Sequence, residues 1–337
     1  MSKKLLNILS IALIYCGAVF GAGFASGREI FTFFSCYKTW GIVSSIFTGF
    51  LFSFFGFFIC GYAKQKNITN IENYLLDLFP RPMAKFFSFI ANLFLVLSFC
   101  IMITGCGTLF FEQFGLSAVF ASLASLLICF CVIKNDVSGL GIFNLLATPF
   151  MFLGVVVLCV LCLDLPKASA IYSDKVAAPI ISGILYLSYN MVSAVAVLVS
   201  ASKIADNKNE AAIGGMVGGV LIGIPLVFMS VVLGFHWEVA SFPMPFFKLI
   251  YNNFPRLSIV CSLVLYFAMM TTAVSSGVGV LANVAPKKSG KYATLLCILA
   301  FLISFMPFAE LVVSVYSSFG VIGVLLILGI FIKILRK

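Results

Sequence analysis

The chain has 337 residues, of which 62% are hydrophobic and 9% are charged, and its formal net charge is +10 at pH 7. With a mean hydropathy of +1.18, it carries more apolar surface than a water-soluble domain of this length could bury. Its basic residues do not cluster on a soluble domain, as a nucleic-acid site would require. The composition therefore predicts an all-α integral membrane protein that binds no nucleic acid.

Charged and turn-forming clusters divide the chain into ten apolar stretches. Each is long enough, or nearly so, to cross about 30 Å of hydrocarbon, although the fourth and ninth are short. We therefore predict a single transmembrane domain of ten helices. The ten spans are Leu5–Phe34, Gly41–Tyr62, Ala84–Phe110, Leu116–Ile133, Leu140–Leu163, Ala177–Ser200, Ala211–Phe235, Leu257–Asn283, Tyr292–Met306 and Glu310–Leu335.

The basic residues predict the orientation of the chain in the cell membrane. If the N-terminus is cytoplasmic, fifteen of the 21 Lys and Arg residues lie in inner segments, and six lie in outer ones. This asymmetry follows the positive-inside rule for an even number of spans. Both termini are therefore expected in the cytoplasm. The positive net charge is explained by the basic residues of the inner segments.

The first span has an unusual composition for a membrane helix. Interior glycine costs a helix about 1 kcal/mol relative to alanine, and a charge at the bilayer centre costs about 3 kcal/mol. Close helix packing is an alternative explanation for the glycines, but it does not explain the two charges, which need a water-filled vestibule, expected on the outer side. The residues concerned are Gly17, Gly21, Gly23, Gly27, Arg28 and Glu29.

A polar interruption in the sixth span matches the glycine series in the first. It consists of Ser188, Tyr189 and Asn190 within a run of Ile, Leu, Ala and Val. Ten spans divide into two halves of five, at about residues 5–165 and 175–335, and each interruption falls in the first span of its half. Broken helices at matching places are typical of inverted-repeat secondary transporters, so we predict that helices 1 and 6 are discontinuous.

The eighth span carries a cluster of neutral oxygen atoms. Ala268, Thr271 and Thr272 have the i, i+3, i+4 spacing that places groups on one helix face. Such a cluster suits a sodium ion when carbonyls of an unwound helix complete the coordination. The alternative is that both hydroxyls bond back to carbonyls of the preceding turn.

The segment from Gly21 to Glu29 has the pattern Gly-Ala-Gly-Phe-Ala-Ser-Gly-x-Glu, in which x is any residue and is Arg28 here. This pattern resembles a signature of the YkvI-type bacterial membrane proteins. That family is placed in the amino acid/polyamine/organocation superfamily, whose members are similar to LeuT-type transporters. The resemblance implies a 5+5 inverted-repeat fold over essentially the whole chain. The specific motif covers only the first span.

The resemblance to sodium-coupled LeuT-like transporters also implies roles for individual residues. The sodium ion would be held by carbonyls of Gly17 and Phe20 together with the three oxygen-bearing residues of the eighth span. An outer gate would pair Arg28 with Glu310, although Glu29 is an alternative partner for Arg28. Substrate would contact the two interrupted helices, at Gly21, Ala22, Gly23, Phe24, Ser188, Tyr189 and Asn190. Asn190 replaces a glycine found in many relatives, which leaves the extent of unwinding in the sixth span open.

These features predict an ion-coupled secondary transporter, with sodium as coupling ion, for a small amino-acid-like or organic solute. Its anionic head would bind at the first-helix break. Alternatives are a solute-sensing receptor subunit, a channel, or a proton-coupled permease using Glu29, since a carboxylate in a partly dry site binds protons readily. No catalytic cluster is recognisable within the spans, so an enzyme is not expected. The substrate and the oligomeric state are not encoded in any pattern that we recognise.

Overall fold

The computed structural model describes residues 3–134, 138–165, 177–284 and 289–335, and this part of the chain is helical without β-strands. Each predicted span contains a helix, and two short helices lie between spans. In chain order the helices are α1 (Lys3–Val19), α2 (Ala22–Ala25), α3 (Arg28–Phe33), α4 (Thr39–Gln65), α5 (Ile71–Leu78), α6 (Arg81–Phe114), α7 (Ala118–Lys134), α8 (Ser138–Cys162), α9 (Ala177–Ala201), α10 (Lys208–Phe235), α11 (Pro245–Asn253), α12 (Pro255–Val284), α13 (Ser289–Ile303) and α14 (Phe308–Leu335).

Six of the helices in the described ranges are long and apolar enough to cross a membrane, judged by length and composition. Three further apolar helices are shorter, within α7, α8 and α13. Many large apolar side chains on these helices are exposed, among them Phe50, Phe89 and Phe120 at 64%, 64% and 76%. Surfaces of this kind are stable against lipid and unfavourable in water. The chain is an α-helical membrane protein.

The first predicted span is broken into α1, α2 and α3. Helix α1 ends where the N–H of Gly21 donates to the carbonyl of Val19 at 2.8 Å instead of to that of Gly17. A second interruption falls at Gly27, whose φ of 79° lies in the left-handed region that glycine adopts without strain. The predicted discontinuity of the first helix is confirmed.

The sixth predicted span is an unbroken helix, α9, so the prediction of a discontinuity there is wrong. Its polar side chains bond to carbonyls one turn earlier. Ser188 Oγ donates to the carbonyl of Ile184 at 2.6 Å, and Asn190 Nδ2 donates to that of Tyr186 at 2.9 Å. Helical hydrogen bonding thereby accommodates these side chains, and no glycine or proline occurs between residues 184 and 201 to open the backbone.

Helices α4 and α10 approach each other backbone to backbone along a line of glycines. A Cβ on Gly56 would lie 2.3 Å from the carbonyl oxygen of Gly215, and one on Gly219 would lie 2.3 Å from backbone atoms of Ser53. Gly49 and Gly223 meet in the same way further along the helices. Small residues let membrane helices gain dispersion contacts that larger side chains would prevent.

Two pairs of charged residues identify one face of the molecule, which we call the terminal face. Lys3 Nζ lies 2.9 Å from Asp206 Oδ2, and Lys333 Nζ donates to the backbone carbonyl of Asp77 at 2.9 Å. A hydrogen bond from Tyr62, supported by the charge of Lys333, holds the pKa of the Asp77 carboxyl below its ordinary value. Gly61, next to Tyr62 on α4, lies against Lys208 and Ala212 at the start of α10. The starts of α1 and α10 and the ends of α5 and α14 therefore lie at one end of the molecule.

The glycine contact between α4 and α10 leads to a stability prediction. Gly215→Ala places a methyl group 2.1 Å from the carbonyl oxygen of Gly56, so the helices must separate. We expect a loss of about 1–3 kcal/mol, the usual cost of overpacking, seen as a lower melting temperature in detergent. Gly234→Ala on the same helix is the matched control, because no atom lies within 4 Å of its added Cβ. Equal melting temperatures for the two variants would contradict the close approach.

Candidate functional site

A cavity of about 1060 Å³ leads from the break in the first helix to the terminal face. Gly21 and Glu29 line its inner end, and the exposed residues Glu72, Arg81 and Lys85 line its rim. Its walls come from α1, α5, α6, α9, α12 and α14. The polar lining in its deeper part consists of Ser98, Tyr189, Asn190, Ser193, Thr272, Ser275, Ser276 and Tyr316. The short helix α5 thus borders the cavity entrance.

The opposite face of the break is covered by the segment between α10 and α12. The N–H of Phe246 donates to the carbonyl of Ser26 at 2.9 Å, and a Cβ on Gly27 would lie 2.8 Å from the Phe246 side chain. The ring of Phe31 packs edge-on against Trp237 at 5.4 Å between centroids. The sequence predicted a vestibule on the side that these residues close, and the cavity instead opens on the terminal face.

Glu29 is the charged residue at the inner end of the cavity. Its side chain is 3% exposed and accepts a hydrogen bond from the Tyr189 hydroxyl. It lies directly against the backbone of Gly23, where a Cβ would come within 2.0 Å of Oε1. In the described ranges no Lys, Arg or His forms an ion pair with it. A buried carboxylate is thus held in place by a neutral hydroxyl.

Tyr189, whose hydroxyl bonds this carboxylate, belongs to a cluster of three aromatic rings. Tyr189 stacks on Tyr316 with 4.7 Å between centroids and an interplanar angle of 16°, and Phe94 contacts Tyr316 at 5.9 Å and Tyr189 at 6.2 Å. All three rings line the cavity. Sequence reasoning missed Phe94, which looks like any apolar residue of a membrane helix. It also missed Tyr316, for which the polar run Ser314–Ser318 in the last span was an available signal.

The predicted substrate residues divide between the cavity wall and the packed core. Gly21, Tyr189 and Asn190 line the cavity. Phe24 is 1% exposed against the ring of Phe20, and Ser188 is fully buried where its carbonyl meets Gly323 of α14. Neither Phe24 nor Ser188 lines the cavity. Gly23 lies beneath the Glu29 carboxylate, and Ala22 begins α2 with a side chain outside the described part of the chain.

The break in the first helix lies next to Thr272, one of the predicted sodium residues of α12. Gly17 and Thr272 both line the cavity, and a Cβ on Gly21 would be 3.9 Å from Thr272 Oγ1. The hydroxyls of Thr271 and Thr272 donate to the Ala268 carbonyl at 3.0 and 2.9 Å. The back-bonding alternative therefore describes this structure correctly, although each hydroxyl oxygen keeps lone pairs that can coordinate a cation. Phe20 is 3% exposed and directly follows the last residue of α1.

The predicted gate is not formed in this structure. Arg28 Nη1 donates to the carbonyl of Ala240 at 2.9 Å, and no ion pair in the described ranges joins Arg28 to Glu29 or Glu310. Successive residues of a helix point about 100° apart, so Arg28 turns to the covered face while Glu29 turns to the cavity. Glu310 is exposed at the start of α14.

The acidic residue at the break bears on the predicted binding of an anionic head, which stays a prediction. An anion entering the cavity would meet the buried Glu29 carboxylate, which no positive side chain in the described ranges offsets. The helix that begins at the break, α2, has four residues, so it contributes few aligned peptide dipoles. When Glu29 is ionised, repulsion between like charges opposes the binding of an anionic head there.

The described helices and their cavity define an α-helical membrane protein with a large polar-lined cavity. No protein-family profile matches the chain. It is 24% identical over 327 residues to an uncharacterized membrane protein, YkvI, of Bacillus subtilis (strain 168), covering 93% of this chain and 92% of that protein.

Two solved transporter structures have a similar fold. One is the inward-facing conformation of Mhp1, with a TM-score of 0.61, 12% identity, and coverage of 95% of this chain and 73% of that chain. The other is the outward-open, substrate-bound state of a Na⁺-coupled sialic acid symporter, with a TM-score of 0.55, 16% identity, and coverage of 99% and 87%. These proteins are membrane transporters and not enzymes, and the chain has the fold of such transporters.

The contact between Gly23 and Glu29 can be tested by a double-mutant cycle. Gly23→Ala places a methyl group on the Glu29 carboxylate, and we expect a loss of about 1–3 kcal/mol of stability. In the Glu29→Ala background the clashing atoms are gone, so the same glycine change should cost much less. Thermal melting in detergent measures each corner of the cycle.

Gly21→Ala is the control for this cycle. Its added methyl group would meet its nearest neighbour at 3.7 Å, an ordinary contact. Additive effects of Gly23→Ala and Glu29→Ala would show that the carboxylate does not occupy the position described.

Proposed function

We propose that the protein is an ion-coupled secondary transporter that moves a small amino-acid-like or organic solute across the cell membrane by alternating access. The observation that carries this proposal is the position of the first-helix break, which lies at the inner end of a polar-lined cavity of about 1060 Å³. Irregular backbone within a membrane is tolerated where it lines a cavity or is buried in protein. A solute site at this break would be open to solution through the cavity, while the segment between α10 and α12 covers its opposite face.

The finer architecture belongs to the same proposal. The ten helical spans form a 5+5 inverted repeat of the amino acid/polyamine/organocation superfamily, with the first helix of the first half broken. The basic inner segments place the termini in the cytoplasm, so the cavity at the terminal face opens to the cytoplasm.

Sodium is the coupling ion that the oxygen atoms near the break favour. The Gly17 carbonyl lacks its helical donor because the N–H of Gly21 bonds to Val19, and the carbonyl of Phe20 belongs to the same unwound stretch. Thr271 and Thr272 on α12 supply hydroxyl oxygens, with the Ala268 carbonyl beside them. Neutral oxygens from an unwound segment and a neighbouring helix suit a monovalent cation. A bound ion would join α1 to α12 and so couple its own binding to helix position.

Sodium should stabilise the purified protein through these residues. We expect a higher melting temperature in NaCl than in KCl of equal ionic strength, because a ligand that binds only the folded state stabilises it. The variant Thr271→Ala/Thr272→Ala should lose this difference and remain folded. Thr294→Val, which alters an exposed hydroxyl on α13, is the control. A sodium effect that persists in the double variant would remove the assignment.

Transport itself is tested in proteoliposomes. Solutes that raise the melting temperature in a screen of amino acids and organic amines are supplied with a radiolabel under an inward sodium gradient. We expect saturable accumulation above equilibrium that collapses when an ionophore dissipates the gradient. Binding without accumulation would identify a receptor, and flux that never exceeds equilibrium would identify a channel.

A proton-coupled permease is the second candidate. The observation that favours it is the burial of Glu29 without a basic partner in the described ranges, because an isolated carboxylate in a dry site readily binds a proton. In the proteoliposome assay, uptake driven by a pH gradient in sodium-free buffer and lost in Glu29→Gln would select this candidate.

A further inference from the structure

We infer that a narrow apolar crevice behind the first-helix break binds one acyl chain of a membrane phospholipid, and that the bound chain stabilises α1 in the position described. The crevice is separate from the central cavity and has a volume of about 230 Å³. It lies between α1, α8 and α10, and we call it the lipid crevice. The inference does not depend on transport, since it concerns the lipid-facing side of the helices.

The lipid crevice lies directly behind the break. Leu13 and Cys16 of α1 line it, whereas Gly17, the next residue, lines the central cavity. At Gly17 the helix touches α8, because an added Cβ would lie 2.9 Å from Thr148 Oγ1. Thr148 also lines the crevice. A single turn of α1 therefore separates the lipid crevice from the central cavity.

The walls of the crevice favour an apolar occupant. Pro149, Phe152 and Leu153 of α8 and Leu221 of α10 complete the lining, and of the described residues that form it only Thr148 carries a hydroxyl. Water is held in a cavity by several polar partners, and apolar cavities stay dry. An unfilled space also deprives the lining atoms of dispersion contacts.

The crevice opens on the surface that faces lipid. Leu153, which lines it, is 59% exposed. Phe150 on α8 and Val220 on α10 are exposed beside it. In a membrane such side chains contact hydrocarbon, so the lining of the crevice is continuous with the lipid-facing surface. Acyl chains are the apolar groups that reach it from there.

The depth of the crevice identifies which part of a lipid it accepts. Helix α8 runs over 25 residues from Ser138 to Cys162, which is about 37 Å at 1.5 Å per residue. Thr148 and Leu153 lie about 15 and 22 Å from its start on the same scale. The crevice is therefore near the middle of the membrane, where a charged headgroup is unfavourable. It accepts a chain, and the headgroup stays at the interface.

A chain in the crevice would contact three helices at once. An apolar protein cavity of about 150 Å³ binds benzene, so the larger volume here holds the last carbons of a chain. Cys16 Sγ donates to the Gly218 carbonyl at 3.4 Å and holds α1 to α10, so the width of the crevice depends on the position of α8. Pro149 lacks an N–H, which removes one helical hydrogen bond of α8 at the crevice. A chain that fits this width stabilises this arrangement over others.

The test measures the melting temperature of the purified full-length protein in detergent while dioleoyl phosphatidylcholine is added. We expect a saturable rise, because a ligand that binds only the folded state stabilises it. Dioleoyl phosphatidylglycerol, which has the same chains and a charged headgroup, should give the same rise. Glycerophosphocholine, the headgroup without chains, should give none. A rise that follows the headgroup, or no saturable rise, would overturn the inference.

Variants separate the crevice from the rest of the lipid-facing surface. Leu221→Trp fills the crevice from α10, so it should lose the lipid-dependent rise and retain one phospholipid fewer than the unaltered protein in native mass spectrometry. Val220→Trp adds the same bulk to an exposed neighbour outside the crevice, and it is the matched control that should keep both. Leu13→Phe fills the crevice from α1 and replaces Leu221→Trp where that variant melts lower without lipid.

Each remaining outcome decides the matter. Equal lipid effects in Leu221→Trp, Leu13→Phe and Val220→Trp would show that no chain binds in the crevice. A crevice filled by a second copy of the chain would give a melting temperature that rises with protein concentration in lipid-free detergent, which would also overturn the inference. Uptake into proteoliposomes is measured separately, so failure of transport and failure of the lipid crevice are distinguishable.

Discussion

The need to satisfy backbone groups inside a membrane constrains the first helix more than any other part of this fold. A peptide group without a hydrogen bond in hydrocarbon costs several kcal/mol, so a break survives only where protein or cavity water supplies partners. Here α1 ends at Val19 and α2 has only four residues, so the stretch between them depends on its surroundings. The cavity reaches this stretch at Gly17 and Gly21 from one side, and Phe246 donates to Ser26 from the other.

The same break determines where the charges of the motif point. Because Gly23 lacks a side chain, the Glu29 carboxylate can fold back against the backbone of α2 and receive the Tyr189 hydroxyl. Arg28, one residue earlier, lies on a different side of α3 and bonds to Ala240. Two charges that are adjacent in sequence therefore serve different faces of the molecule. The left-handed Gly27 sets the direction in which α3 begins, and the rotation of about 100° between successive helix residues separates the two side chains.

The all-helical fold and the first-helix break were predictable from the sequence, because local composition and glycine spacing determine both. The unbroken sixth span was not, since Ser188 and Asn190 look polar in a sequence but are accommodated by carbonyls one turn earlier. The side on which the cavity opens depends on how α11 packs over the break. The ring pair of Tyr189 and Tyr316 joins residues more than a hundred positions apart, and no local pattern encodes such a contact.

Close packing divides the helices around the cavity into two groups that an ion could link. Helices α1, α4 and α10 are locked together, because Gly214 and Gly218 leave no room between α10 and the side chains of Ile11 and Tyr15. The Tyr15 hydroxyl in turn donates to the Phe52 carbonyl of α4 at 3.1 Å.

Thr272 belongs to α12, which packs mainly against α6 and α8. Interfaces built on backbone contact are stiff, so relative movement is expected between these groups, where the first-helix break meets Thr272 of α12. An ion there would stabilise one arrangement of the two groups over the other, and such differential binding is what coupling requires.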